Sequence, residues 1–200
     1  MTATAASSYP ASFSLEPPDR IANWRPLVHW LMAIPHMVVL YALGIVSEVV
    51  AVVSWFAILF TGKQPEGLAG VQSMYLRYSM RVFAFVGFQV EEYPPFAFGS
   101  SASDPGDGGR VRVDFRPALE NRNRVTVFFR LLLLIPHMIV LGLVGMVAGL
   151  AYVVGFFAVL FTGRWPAGLR RFVLGVMRWG LRTQAYMLLL TDEYPPFSLD

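Results

Sequence analysis

Residues 131–161 read LLLLIPHMIVLGLVGMVAGLAYVVGFFAVLF and carry no formal charge, with His137 as the one titratable side chain. A second apolar stretch runs from Pro26 to Phe60, where Glu48 is the one charged residue. Uncharged apolar runs longer than about 18 residues are typical of membrane-spanning segments. The composition agrees, since 56% of the chain is hydrophobic and 14% is charged, against about 25% charged residues in soluble domains. The sequence therefore predicts an all-α integral membrane protein.

The two apolar stretches belong to a tandem repeat. Residues 31–98 align without a gap with residues 132–199, and 28 of the 68 aligned pairs are identical. The identities concentrate in three motifs: Ile-Pro-His, Phe-Thr-Gly-(Lys/Arg)-x-Pro-x-Gly-Leu and Glu-Tyr-Pro-Pro-Phe. The second motif predicts a turn between two helices, because its first glycine suits a helix C-terminus and its proline suits the first turn of the next helix. Between the copies lies a stretch rich in Ser, Gly and Asp, which is typical of a linker. We predict repeat 1 at residues 1–98, a flexible linker at 99–109 and repeat 2 at 110–200.

Each apolar stretch is long enough for two short helices. Its length of about 31–35 residues corresponds to roughly 46–52 Å of helix, which exceeds a hydrocarbon core of about 30 Å, and glycines lie near its middle. We therefore expect a transmembrane helical hairpin at residues 24–60 and another at 125–161. Re-entrant hairpins, which enter the bilayer without crossing it, are the alternative. An amphipathic helix lying at the membrane interface is expected after each hairpin, at residues 66–90 and 167–191.

The segments outside the bilayer and the charges set the expected topology. Residues 110–115 alternate polar and apolar side chains, which predicts a short strand, and the segments around Phe13 and Phe96 alternate likewise. Lys and Arg residues flank the bases of both predicted hairpins, whereas the tips are uncharged. Because Lys and Arg favour the cytoplasmic side, we predict four crossings with both termini in the cytoplasm. The net charge of +3 is too small to indicate a nucleic-acid partner.

Four arginines are candidate ligands for lipid headgroups. Arg77 and Arg81 stand four residues apart on one face of the first predicted interfacial helix, and Arg178 and Arg182 are their counterparts. Guanidinium groups bind phosphate in a bidentate way, so contact with anionic headgroups is predicted. Snorkelling is one alternative. Another is salt bridging to the acidic residues Glu91, Glu92, Asp192 and Glu193.

Three polar side chains lie inside the apolar stretches: His36, His137 and Glu48. The two histidines are equivalent in the repeats, and as a pair they are candidates for binding haem iron or a metal. Alternatively, each hydrogen-bonds a carbonyl freed by the preceding proline. Glu48, whose counterpart is Gly149, is a candidate for proton relay, ion binding or contact with a partner. A position near the membrane interface would instead require no role for it.

The three motifs, in two tandem copies, closely resemble the bacterial membrane family called domain of unknown function 4389. The resemblance covers about residues 9–199 and implies a protein of the bacterial plasma membrane. It implies no activity, substrate, cofactor or catalytic residue.

The sequence has no Ser/His/Asp set, no phosphate-binding glycine loop and no paired carboxylates, and it lacks cysteine. We therefore predict a non-catalytic multi-pass protein with no cofactor and no metal site. Its expected role is that of an accessory or scaffold subunit, which binds lipid headgroups and either forms a homo-oligomer or joins a larger membrane complex. One alternative is a small transporter or channel subunit, with Glu48 and the histidines lining its path. The other is a haem- or metal-binding protein that uses His36 and His137.

Overall fold

The computed structural model describes residues 9–200, so the first eight residues of predicted repeat 1 lie outside it. Within the described range, each repeat supplies one strand followed by three helices. The elements of repeat 1 are β1 (Ala11–Leu15), α1 (Arg25–Met32), α2 (Ile34–Thr61) and α3 (Glu66–Val86). Those of repeat 2 are β2 (Val111–Phe115), α4 (Arg124–Phe128), α5 (Arg130–Thr162) and α6 (Ala167–Met187). The duplication read from the sequence is therefore a duplication of structure.

The two apolar stretches form single long helices. α2 has 28 residues and α5 has 33, and the middle of each, including Gly44, is helical throughout. The hairpins predicted at 24–60 and 125–161, whether spanning or re-entrant, are therefore wrong. A turn here would leave several helix-end N–H and C=O groups without intrahelical partners, and a continuous helix avoids that cost. The break in the helical path comes earlier, at Ala33 in repeat 1 and at Phe129 in repeat 2, which are not equivalent positions.

The Thr-Gly-x-x-Pro motif ends each long helix as the sequence predicts. Gly62 and Gly163 have φ values of 72° and 67°, in the left-handed region that glycine adopts at low cost. Pro65 and Pro166 then precede α3 and α6. Each long helix is thereby folded back onto the helix that follows it in the chain.

The helices α3 and α6 form the centre of the protein. Twelve of the 21 residues of α3 are buried and nine of the 21 of α6, compared with five of 28 in α2 and seven of 33 in α5. The interfacial placement expected for residues 66–90 and 167–191 does not match this burial. Their polar faces are turned inward, because carbonyls and carboxylates from elsewhere in the chain meet them there.

The strands lock the two repeats together. β1 and β2 pair antiparallel with Phe13 opposite Val113, as the alternation around residues 110–115 and Phe13 predicts. The segment around Phe96 forms no strand. β1 contacts α6 and β2 contacts α3, so each repeat places its strand on the core helix of the other.

The segment predicted as a flexible linker is attached to the core by one buried carboxylate. The side chain of Asp104 is fully buried and accepts hydrogen bonds from the backbone N–H groups of Gly106 and Val113, both at 2.8 Å. Asp114 in β2 accepts from the N–H of Asp104 at 2.7 Å. Asp and Gly suit tight turns as well as linkers, and here the buried carboxylate fixes the turn.

α2 and α5 are long and apolar enough to cross a membrane, with mean hydropathies of 2.2 and 2.5 over their most apolar windows. Only 17% of each window is buried, whereas the core helix of a soluble protein is mostly covered. No other helix in residues 9–200 meets the same criteria, so the four predicted crossings are not matched. Because Arg and Lys flank both ends of α2 and α5, the charge argument for cytoplasmic termini also loses its basis.

Candidate functional site

Arg77 and Arg81 are buried and bind the chain itself. Arg81 lies 2.7 Å from Asp104 and 2.7 Å from Asp107. Its neighbour Arg77 donates to the carbonyl of Val113 in β2 at 3.1 Å. The remaining N–H groups of Arg77 donate to the carbonyls of Gly99, Ser101 and Ala102. These two guanidinium groups therefore fix the predicted linker and β2 on α3.

The equivalent pair has the corresponding role in repeat 2. Arg182 is buried and donates to the carbonyls of Ser198, at 3.0 Å, and Asp200. Arg178 is half-buried and donates to the carbonyl of Phe13 in β1 at 3.4 Å. All four arginines thus attach strands and connecting segments to the core helices. Three of them are enclosed, so the predicted contact with lipid phosphate does not fit their positions, and neither does snorkelling.

His36 lies in an aromatic cage built by its own repeat. The ring of Phe96 stacks on the imidazole with centroids 4.3 Å apart, and the ring of Tyr93 lies at 4.6 Å. The Tyr78 hydroxyl is 2.6 Å from Nδ1. The Ile-Pro-His motif is therefore the centre of the cage, and Tyr-Pro-Pro-Phe supplies two of its walls.

His137 lies in the equivalent cage of repeat 2. Phe197 stacks on the imidazole at 3.9 Å, and Tyr194 lies at 4.8 Å. The indole N–H of Trp179 donates to Nδ1 at 3.0 Å. Because an indole nitrogen can only donate, Nδ1 of His137 must be unprotonated. The neutral ring therefore carries its proton on Nε2.

The two histidines do not meet. α2 and α5 make no contact with each other in the described chain, and both imidazole rings are fully buried. Residues 9–200 contain no cluster of three His, Cys, Asp or Glu side chains suited to a metal ion. The structure thus brings each histidine to the aromatic residues of its own repeat. The Nδ1 atoms contact a tyrosine hydroxyl in repeat 1 and an indole in repeat 2. These contacts match neither the predicted paired site for haem or a metal nor the predicted hydrogen bond to a carbonyl freed by proline.

An ion network at the end of repeat 2 escaped the sequence reasoning. Asp192 accepts from Arg122 at 2.7 and 2.9 Å, from Arg130 at 2.6 Å and from the N–H of Asn123 at 2.8 Å. Burial would raise the pKa of Asp192, but these hydrogen bonds outweigh it and hold the pKa below its usual value. In repeat 1 the counterpart Glu91 accepts from the N–H of Ala22. An acidic residue one position before each Glu-Tyr-Pro-Pro-Phe was the available signal.

Glu48 lies on the exposed surface of α2 at the midpoint of the helix. Beside it, Gln72 of α3 donates to the carbonyl of Ser47 at 2.8 Å, and the Ser47 hydroxyl donates to the Gln72 side chain. Burial raises the pKa of Tyr75 in α3, and the charge of Glu48 adds to the effect. This polar cluster exists in repeat 1 alone. Its counterparts in repeat 2 are Ala148, Gly149, Val173 and Val176.

Comparison with known proteins identifies the family. No curated protein and no solved structure matches the chain. A family model described as a domain of unknown function (DUF4389) matches residues 23–97 and again residues 124–198. Each matched segment contains one histidine cage, one Thr-Gly-x-x-Pro turn and the acidic residue that precedes Glu-Tyr-Pro-Pro-Phe. The chain therefore belongs to the DUF4389 family and carries two tandem copies of its domain.

Proposed function

We propose that this chain is a non-catalytic accessory subunit of a larger assembly in the bacterial plasma membrane. In this proposal α2 and α5 insert their exposed apolar faces into the bilayer and α2 binds a helix of the partner through Glu48. The observation that carries it is the position of that carboxylate, exposed at the midpoint of an otherwise apolar helix.

The exposed surfaces of α2 and α5 support insertion into a membrane. Large apolar side chains are exposed along both helices, including Tyr41 at 75%, Phe60 at 77%, Leu131 at 75% and Met146 at 71%. Soluble monomers rarely expose contiguous apolar patches larger than a few hundred Å². Hydrocarbon covers such faces without cost.

The carboxylate of Glu48 supports a protein partner rather than lipid alone. An ionised side chain at the centre of a membrane helix costs about 2.5–3.5 kcal/mol. Such residues therefore pair with an opposite charge or a hydrogen-bond donor. Among the described residues, no ion pair or hydrogen bond to Glu48 is formed. A partner helix with an Arg, a Lys or an amide donor at the same depth supplies what is missing.

The absence of a matching carboxylate in α5 supports a contact with one partner helix, formed by α2. Gly149 occupies the equivalent position there, so the apolar face of α5 has no charge to pair. A scaffold that used both repeats alike would carry the carboxylate twice. We therefore expect one partner helix for each chain, bound to α2.

The test is native mass spectrometry of the chain after gentle extraction from its own membrane. Alkaline carbonate should leave the chain in the membrane fraction, and the wild-type complex should contain foreign subunits. Glu48→Gln removes the charge and should lower their recovery by about threefold to thirtyfold, as expected for a polar contact of roughly 0.6–2 kcal/mol between membrane helices. Glu66→Gln, an exposed glutamate at the start of α3, is the matched control and should leave recovery unchanged.

Equal recovery with Glu48→Gln and Glu66→Gln would refute docking through α2. Release of the chain by carbonate would refute membrane insertion. A mass made only of copies of this chain would replace the accessory role with self-association.

A further inference from the structure

A cavity of about 470 Å³ lies between α3, α5 and α6. Its walls are mostly apolar, and its size falls within the range of about 300–1,000 Å³ that is usual for small-molecule sites. The lining residues that carry the argument are Met80 and Phe83 of α3, Tyr152 of α5, and Met177, Gly180 and Gln184 of α6.

Two glycines shape this cavity in different ways. A Cβ on Gly87 would come within 2.6 Å of the Tyr152 ring, so this glycine allows the ring to lie against the end of α3. A Cβ on Gly180 would have nothing within 4 Å, so the wall at Gly180 borders open space. The Tyr152 hydroxyl is 3.7 Å from the sulfur of Met177.

The corresponding surface on the other side of the core is closed. The counterparts of Gly180 and Met177 are Ser79 and Leu76, which are 2% and 0% exposed. The cavity therefore lies on one side of the core without a copy on the other, just as Glu48 of repeat 1 has no copy in repeat 2. It does not follow from the duplicated architecture.

The chemistry of the walls selects the occupant. Water is stable in a protein cavity when it finds about two to four polar partners, and this lining provides polar side-chain groups at Gln184 and Tyr152 only. Phe83 at the rim is 45% exposed, so the cavity opens to the surroundings of the protein. In the proposed membrane setting those surroundings are hydrocarbon. We infer that the cavity binds one hydrocarbon chain of a membrane lipid, either a fatty acyl chain or an isoprenoid.

This inference rests on the proposed location in a membrane but not on the docking role of Glu48. It also differs from the predicted headgroup site, because it places the recognised group in the hydrocarbon part of the lipid. The arginines expected to bind headgroups are already bonded within the core.

The test uses photoreactive lipids in detergent micelles that contain the purified full-length chain. One arm uses a phosphatidylglycerol with a diazirine in the middle of one acyl chain, and the other uses a diazirine-bearing isoprenoid alcohol. After irradiation, peptide mapping should find the label on the peptides of Met80 and Met177, in excess over the exposed face of α5. The arm that labels identifies which kind of chain is bound.

Gly180→Leu places a side chain in the cavity, and Gly168→Leu is the matched control. Gly168 lies on the same helix with open space around it, and it is exposed outside the cavity. Gly180→Leu should reduce cavity labelling by at least about tenfold, as expected when the burial of a few CH2 groups is lost. Gly168→Leu should label like the wild type. If leucine at position 180 prevents folding, Gly180→Val provides the smaller filling side chain.

Labelling that survives Gly180→Leu or Gly180→Val in folded protein would overturn the inference. Labelling of the cavity peptides no stronger than that of the α5 face would also overturn it, because it would indicate exchanging annular lipid. Glu48→Gln should label like the wild type. A failure of the docking proposal is therefore distinguishable from a failure of this one.

Discussion

Removal of the Asp192 charge should destabilise the protein more than any surface change. The side chains of Arg122 and Arg130 are 0% and 3% exposed, and Asp192 is the one carboxylate that either contacts in the described chain. Asp192→Asn keeps the shape but leaves two buried cations without a negative partner. Breaking a buried ion pair from one side costs about 3–5 kcal/mol.

The carbonyls around the two arginines place the expected value within that range. Arg122 also donates to the carbonyls of Ala118 and Leu189, and Arg130 donates to those of Tyr186 and Thr191. These bonds survive the substitution, so hydrogen bonding is largely kept while charge neutralisation is lost. We therefore expect a loss of about 3 kcal/mol, at the lower end of the range for a broken buried pair.

The assay is reversible unfolding in mixed micelles with increasing sodium dodecyl sulfate, followed by tryptophan fluorescence. The matched control is Glu120→Gln, which removes a carboxylate paired with Lys63 at 3.0 Å where both side chains are about two-thirds exposed. Exposed pairs contribute about 0–1 kcal/mol. If the free energies of unfolding of Asp192→Asn and Glu120→Gln lie within about 1 kcal/mol of each other, the network does not neutralise buried charge as argued.

Two further predictions concern Asp104 and Gly155. Burial would raise the pKa of Asp104, but hydrogen bonds from backbone N–H groups and Arg81 outweigh it and hold the pKa below its usual value. Its contribution to stability is therefore present above about pH 4 and lost on further acidification, so Asp104→Asn should flatten the acid side of the unfolding profile; an unchanged slope would contradict this. A Cβ on Gly155 would collide with the buried ring of Trp165, whereas one on Gly142 in the same helix has open space. Gly155→Ala should destabilise by about 1–3 kcal/mol and Gly142→Ala should stabilise by up to about 1 kcal/mol, as measured by the same unfolding assay; effects of the same sign would contradict the packing.

The sequence predicted the local features that a few neighbouring residues control. The Thr-Gly-x-x-Pro turn is one of these, because the left-handed glycine and the following proline act within five residues of each other. The alternation in residues 110–115 is another. The duplication was also readable, since it requires only the comparison of the chain with itself.

The prediction of hairpins was wrong because it rested on the length of the apolar stretches and on the glycines near their middle. Gly44 destabilises a helix by only about 1 kcal/mol relative to alanine, whereas a turn at this place would break several backbone hydrogen bonds of the helix at once. Helix length also does not have to match the bilayer, since tilting and kinks accommodate a mismatch. The breaks at Ala33 and Phe129, three residues before His36 and eight before His137, carried no comparable signal.

The arginines were misassigned because an amphipathic helix has the same periodicity whichever way its polar face points. The partners of Arg77 lie 22 to 36 residues further along the chain, and no local spacing reveals them. The same holds for the cages, where His36 and Phe96 are brought together by two helices and a turn. Joint repetition of Ile-Pro-His and Tyr-Pro-Pro-Phe was a hint that they touch, but it required a reason to link them.

The duplication separates what folds the chain from what distinguishes it. Where the repeats agree, the shared residues build the cages, the turns and the arginine contacts, which either copy needs in order to fold. Where they differ, the differences fall at the outer face of α2 and at the cavity bordered by Gly180, neither of which the fold requires. A carboxylate on an apolar face and an open wall in a packed core both cost stability, and their counterparts Gly149 and Ser79 show that the architecture does without them. Selection for a task outside the fold is the physical reason to keep such features. The search for that task should therefore begin at the outer face of α2 and at the cavity, where one repeat differs from the other.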